Sequence, residues 1–252
     1  MYENKILVIL PYSQKGAQGN EIRLALSGWR RFCTFDYHFV VIGDFDKSLR
    51  DEFSWVEFID LDRLPTRLNQ YNPELDILHK LDIACQRFSK EYTGFVRMMD
   101  DFYAIKPFVF EDVSKTFYHS MSFDGNKQLP TSFWKHTKWK TRVLLDKEGL
   151  PHINYTTHHP CYFEIEKLNL IWDKYNMREE SYVFDDVYFN YFEHEKPVLD
   201  STIRLGIWNN IIFKRDFKKA IANPNIKFVC NSVKGWSADL ERELKKIIFS
   251  CC

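Results

Sequence analysis

Gly94-Phe95-Val96-Arg97-Met98-Met99-Asp100-Asp101 (GFVRMMDD, residues 94–101) is the stretch on which the reading of the fold turns. A short apolar run stops abruptly at two adjacent carboxylates. Such a run, bounded by polar residues, suits a buried parallel strand. Upstream, Lys5 to Leu10 (KILVIL) is a second run of this kind, ended by Pro11. Phe39 to Ile42 (FVVI) is a third, ended by Gly43-Asp44, and Trp55 to Ile59 is a shorter one. Between them lie helical patterns. Asn20 is placed to cap a helix with apolar positions Ile22, Ala25, Leu26, Trp29 and Phe32, a period of about 3.6 residues. Asn72-Pro73 opens another, with proline at its first position and Ile77, Leu78, Leu81, Ala84, Cys85 and Phe88 on its buried face. Strands alternating with helices predict an α/β fold, a mostly parallel sheet with helices on its faces. Ligands of such sheets bind outside the carboxyl ends of the strands. Pro11-Tyr12, Gly43-Asp44 and Asp100-Asp101 all fall at ends of that kind.

The second half is less regular and reads as a C-terminal α+β elaboration of one domain, 1–252. Thr131 to Lys147 is a predicted helix stopped by Gly149 and Pro151, and Asn154 to Glu164 is predicted to be extended. Glu166 to Tyr175 and Val183 to Glu193 are predicted helices. Ile203 to Leu205 and Ile226 to Cys230 are predicted strands, and Ser237 caps a last amphipathic helix bearing Leu240, Leu244, Ile247 and Ile248.

Lys plus Arg equals Asp plus Glu, 35 each, which argues against duplex nucleic acid as a partner. The aromatic share, 17%, serves either a bulky core or rings that stack on sugars and bases. The six cysteines show no metal-knuckle spacing and read as reduced thiols of a cytoplasmic protein. Ile6 to Leu10 is too short for a signal peptide or a membrane span. Peripheral contact with the inner face of a membrane, through exposed aromatics or the final helix, stays open beside a plainly packed helix. Oligomeric state is not readable.

Adjacent carboxylates after a buried strand are costly unless something positive offsets them. A divalent cation, Mn or Mg, bridging phosphates would do so at Asp100 and Asp101, since hard cations take oxygen ligands. The other reading is a strand-end turn. His79-Lys80 could neutralise a diphosphate or lie on a solvated helix face. His158-His159 could supply a metal ligand or phosphate donor, or a structural histidine. Asp185-Asp186 could hold the base that deprotonates an acceptor hydroxyl, or simply complement a helix N-terminus. No Gly-rich phosphate loop, nucleophile elbow or His-Glu-x-x-His helix occurs.

The order of these features resembles the nucleotide-binding half of GT-A glycosyltransferases, whose Asp-x-Asp or Asp-Asp element binds a metal and the donor diphosphate. The resemblance implies a Rossmann-like GT-A domain with a nucleotide-binding half, 1–107, and an acceptor-side half, 108–252. It implies that Pro11, Tyr12 and Asp44 hold the nucleoside, and that the acidic pair opening a later helix, Asp185-Asp186, carries the base. Asn20-Glu21-Ile22-Arg23, the segment Phe95 to Phe108, His158-His159-Pro160 and Phe228-Val229-Cys230-Asn231 are also similar to blocks of the Stealth group of sugar-phosphate transferases. Met99 stands where that group has Asn, and Leu10-Pro11-Tyr12-Ser13 where it opens on Tyr-Thr-Trp-Val-Asp-Gly.

The resulting expectation is a metal-dependent glycosyltransferase that moves a sugar from a nucleotide-sugar donor to a glycan or lipid-linked saccharide acceptor. Asp101, Asp100, His159 and His158 form its metal set, Lys80 and His79 sit on the leaving diphosphate, and surplus Trp and Tyr wall the acceptor. The alternatives are Stealth-type sugar-1-phosphate transfer for a capsule or surface polysaccharide, and a non-catalytic carbohydrate-binding or scaffold protein.

Overall fold

A computed structural model describes residues 5–64, 73–119, 133–192 and 197–250. In chain order its strands are β1 (Ile6–Ser13), β2 (Tyr37–Asp44), β3 (Glu57–Asp60), β4 (Gly94–Arg97) and β5 (Phe102–Ala104). These are followed by β6 (Phe117–Tyr118), β7 (Cys161–Glu164), β8 (Val198–Leu199), β9 (Arg204–Ile207) and β10 (Phe228–Asn231). The helices are α1 (Glu21–Phe32), α2 (Ser48–Glu52), α3 (Pro73–Phe88), α4 (Glu111–Ser114) and α5 (Phe133–Glu148). The remaining ones are α6 (Ile165–Lys174), α7 (Phe184–Phe192), α8 (Asn210–Ala222) and α9 (Ala238–Phe249).

The central sheet runs β3-β2-β1-β4-β7. Its first four strands are parallel and β7 is antiparallel to β4. Because side chains alternate across a strand, β1 feeds both faces. Leu7 and Ile9 enter one core with α3, α6 and α7, while Val8, Leu10 and Tyr12 enter the other with α1, α8 and α9. This two-sided burial is why β1 reads as a continuous apolar run. Trp29 of α1 is fully buried and meets Phe35, Tyr37, Phe39 and Phe108 edge to face. Trp172 is also buried. Much of the aromatic surplus therefore builds core, one of the two uses expected for it.

Beyond β4 the chain does something that periodicity did not foretell. Asp100 and Asp101 turn the backbone out of the central sheet and into β5, the first strand of a second sheet ordered β5-β10-β9. β10 is antiparallel to β5 and parallel to β9. The acidic pair thus sits at the junction of two sheets. The backbone amide of Asn231, at the end of β10, donates to the Asp101 carbonyl at 3.2 Å and fixes the junction. The division at 107/108 does not separate two cores, since β5 pairs with β10 and α9 packs on α1.

Other expectations shift in detail. β1 continues through Pro11 to Ser13, because Pro11 still pairs in register with Ile42. Asn20 stands at the start of α1, but its side chain makes no cap and instead donates to Glu241 Oε1 at 2.8 Å. Only Cys161–Glu164 of the predicted extended segment is strand. The chain bends before it, and His158 adopts a left-handed φ of 53°. Ser237 does cap α9, accepting from the Leu240 amide at 3.2 Å. No helix among the described residues is long and apolar enough to cross a membrane.

Candidate functional site

A cavity of about 200 Å³ opens at the carboxyl ends of β1 and β4, where a parallel sheet is expected to bind its ligand. Tyr12 and Ser13 come from the end of β1, Glu21 from the start of α1, and Asp76 and Lys80 from α3. Arg97 ends β4, Asp100 and Asp101 follow it, and Asn231 closes the far side from β10.

The cations of this cavity are held by structural partners. Lys80 is 1% exposed and donates to Asp76 Oδ2 at 2.6 Å and to the Tyr12 carbonyl at 2.7 Å, with Asp44 Oδ1 3.9 Å away. Gly43 permits this approach. Its φ is 150°, and a Cβ there would lie 1.9 Å from the Tyr12 carbonyl oxygen. Asp76 Oδ1 accepts from the Leu64 amide at 2.9 Å, so that carboxylate also ties down the loop after β3. Arg97 pairs with Asp185 Oδ2 at 2.9 Å, and both are buried.

The remaining carboxylates are not so treated. Among the described residues, no Lys or Arg pairs with Glu21, Asp100 or Asp101. Burial, then Asp101, then Glu21 hold Asp100 well above the ordinary carboxylate range. Burial pushes Glu21 up to about 7, against the lowering effect of hydrogen bonds from Asn231 and the Gln18 amide. Asn231 is itself fixed, donating to Glu21 Oε1 at 2.7 Å and accepting from the Tyr103 hydroxyl at 2.7 Å. Asp101 Oδ2 lies 3.2 Å from His158 Nδ1, whereas Asp101 Oδ1 is buried with no hydrogen-bond partner. Three clustered acids and an orphaned carboxylate oxygen describe a place that favours positive charge.

That donor set fits a hard divalent cation. Among the described residues, no three His, Cys, Asp or Glu side chains gather as a complete metal shell. The protein would contribute Asp100 and Asp101, leaving the remaining positions to phosphate oxygens and water, the habit of magnesium.

The expected site residues divide accordingly. Pro11, Tyr12, Lys80, Asp100 and Asp101 line the cavity. Asp44 is outside the lining but beside it, 3.9 Å from Lys80 and 4.0 Å from Arg63. His158 reaches the site through Asp101 and sets its ring 5.9 Å from that of Trp208. Four further expected residues lie outside the cavity lining. His159 lies in the core among Phe102, Phe117 and Phe228, its Nε2 2.8 Å from the Asp112 carbonyl, and burial pushes it down to about 3. Its Nδ1 is also buried, with no hydrogen-bond partner among the described residues. His79, next to Lys80 on the helix, is half-buried and does not line the cavity. Asp186 accepts from the Tyr155 amide at 2.5 Å and from Thr156 Oγ1 at 3.0 Å, which locks the entry to α7. Asp185 is the counter-ion of Arg97. Neither carboxylate lines the cavity.

Sequence reasoning missed Glu21, Asp76, Arg97 and Asn231. Asp76 and Lys80 carried a readable signal, an i,i+4 acid–base pair on the same stripe as Ile77, Leu81 and Ala84. Arg97 was a lone charge inside an apolar strand. Glu21 and Asn231 fall within two of the segments quoted for the resemblance, but nothing local showed that side chains so far apart in sequence would meet.

Two larger hollows lie elsewhere, about 720 Å³ along α9 and about 510 Å³ beside Trp208. Their carboxylates are paired: Glu241 with Lys245, Asp200 with Arg204, Asp216 with Arg215. A mostly parallel α/β sheet with an acid-walled cavity at its carboxyl edge is the class that fold and site define. No family model matches the chain, and no curated protein matches it. Among solved structures it is similar to the apo form of mouse Xyloside xylosyltransferase 1. That match has 14% identity over 92% of this chain and 99% of the other, with a TM-score of 0.44.

Proposed function

We propose that this chain is a GT-A-type glycosyltransferase that moves a sugar from a nucleotide-sugar donor to a glycan-type acceptor. The observation that carries the reading is the pair Asp100-Asp101, lining a cavity at the sheet's carboxyl edge, with no Lys or Arg partner for it and no hydrogen-bond partner for Asp101 Oδ1 among the described residues. Asp100 and Asp101 would hold Mn or Mg against the donor diphosphate. The cation would supply charge stabilisation for the departing nucleoside diphosphate.

The chain's own residues add to this. Lys80 lines the cavity with its ammonium held by Asp76 and the Tyr12 carbonyl, so its charge is preorganised beside the leaving group. Arg97 presents a second fixed cation to the same cavity. Asp185 orients Arg97 through their 2.9 Å ion pair and is therefore a positioning residue. Asp44, beside the lining, and Tyr12 would contact the nucleoside.

Calorimetry of UDP- and GDP-sugars with manganese tests the reading. Binding should require the cation and weaken at least about a hundredfold in Asp101→Asn, the scale of a lost charge-stabilising contact. Equal affinity in both forms overturns it. The nucleotide released on turnover separates the chemistries, a diphosphate for glycosyl transfer and a monophosphate for Stealth-type sugar-phosphate transfer. Binding without turnover would point to the scaffold reading.

A further inference from the structure

β9 and β10 run parallel, with Ile207 in register with Asn231. Trp208, the residue after β9, therefore stands beside Asn231 at one edge of the second sheet. Asn231 lines the acid-walled cavity, and Trp208 lines the hollow of about 510 Å³. Two contacts join these spaces. The His158 ring lies 5.9 Å from that of Trp208, and His158 Nδ1 lies 3.2 Å from Asp101 Oδ2. Ser232, between the cavity-lining Asn231 and Val233, donates its hydroxyl to the Trp208 carbonyl at 3.2 Å.

The sequence around the indole clears a platform for it. The ring folds back over Gly206, where a Cβ would lie 2.6 Å away from it. Glycine thus leaves the space in which the indole rests against the strand. The guanidinium carbon of Arg204 stands 5.6 Å from the ring centroid. Trp208 is only half-buried, and the hollow takes up part of its remaining surface.

The rest of the lining mixes donors and acceptors. Of its three Lys and Arg side chains, Arg204 pairs with Asp200 and Arg215 with Asp216. Arg204 Nε is buried with no hydrogen-bond partner among the described residues. A nearly balanced polar wall calls for neither a strong anion nor a cation. It suits a ligand whose hydroxyls both donate and accept and whose C–H face packs on an indole. The volume falls in the range of small-ligand pockets, about 300–1,000 Å³.

We propose that this hollow is the saccharide subsite for the acceptor, with Trp208 as the platform under a sugar ring. The inference rests on the transferase reading and deepens it. In glycosyl transfer the bond from the sugar's anomeric carbon to the diphosphate oxygen breaks, and its electron pair stays with the diphosphate. An acceptor hydroxyl oxygen bonds to that carbon and its proton leaves to solvent. The acceptor must therefore lie against the cation-binding acids, and the Trp208 hollow adjoins them through His158.

Saturation-transfer NMR of the full chain tests the subsite, with a panel of hexose, pentose and N-acetylhexosamine disaccharides and neither nucleotide nor cation. At least one disaccharide should bind saturably. Trp208→Ala should weaken it about tenfold, the scale of a lost stacking contact with its buried area. Trp208→Phe, which keeps a ring in place, should recover part of the loss, and Gly206→Ala, which lifts the indole off the strand, should reproduce it. Binding by no member of the panel, or equal binding by Trp208→Ala, overturns the inference. So does a Trp208→Ala variant that loses affinity for UDP- or GDP-sugars with manganese in step, because the hollow would then belong to the donor. Saccharide binding without nucleotide binding would keep the subsite and remove the transferase reading, and the reverse result would remove the subsite alone.

Discussion

The two walls of the cavity handle charge in opposite ways. On the α3 and β4 side both cations are matched: Lys80 with Asp76, Arg97 with Asp185, all four buried. On the junction side, Glu21, Asp100 and Asp101 crowd together with no Lys or Arg partner among the described residues. Buried pairs maintain geometry, because removing one partner strands the other in a poor solvent. An unmatched cluster has the reverse property. It is internally repulsive and gains from a cation supplied from outside. One wall therefore holds its own cations in place and the other carries acids with none, although both are made of the same residue types.

That contrast can be broken from either side. The largest effect should come from the matched wall. Lys80→Met leaves Asp76 buried without its counter-ion and should cost about 3–5 kcal/mol of stability, read by urea denaturation. A loss under about 0.5 kcal/mol would mean that Lys80 behaves as a surface residue. On the junction wall, Asp101→Asn should leave stability level or slightly raised, by up to about 1 kcal/mol, because it relieves like-charge crowding. Its loss should appear in cation-dependent donor binding instead. A melt of Asp101→Asn as damaging as that of Lys80→Met would erase the distinction between the walls.

Glu21 sharpens it further. Its folded value of about 7 lies above the ordinary 4.5, so between those values the native state holds a proton that the unfolded chain has released. Stability contributed this way is present at low pH and declines as pH rises from about 4.5 to about 7. Glu21→Gln should remove part of that decline, on the order of 2 kcal/mol, measured by chemical denaturation across the range. Manganese near pH 7 should flatten the same slope, since a cation favours the ionised acids. The smallest effect belongs to the Arg23–Glu52 pair, 2.7 Å long but partly exposed on both sides. Arg23→Ala should cost under about 1 kcal/mol and lose even that in high salt.

The nucleotide-half layout was legible because its signals are local. β1, β2 and β4 announce themselves as apolar runs, and Pro73 and Gly149 punctuate α3 and α5 where expected. The acidic pair was legible for the same reason, as two carboxylates where a buried strand stops. The histidines were not. His158 and His159 are adjacent in sequence, yet one meets Asp101 and the other an aromatic core. The left-handed backbone at His158 sends neighbouring side chains to different environments, and no periodicity encodes that turn. The partners of the α7 acids were hidden in another way. Asp185-Asp186 looks like an exposed helix entry, but Arg97 and the Tyr155 amide reach it from distant segments.

Pattern and punctuation alone therefore determined the alternation of strands and helices, the edge of the sheet at which the cavity opens, and the two acids in its lining. Those properties depend on neighbours within a few residues, so a linear reading can reach them. Tertiary structure alone decided which charges are matched and which are left open. It carried the chain from Asp101 into a second sheet and brought Asn231 across to Glu21. It also set Asp185 on Arg97 and withdrew His159 into the core. The reason is that burial and ion pairing are properties of a location in space. A carboxylate becomes a counter-ion or a ligand only when folding decides what stands beside it.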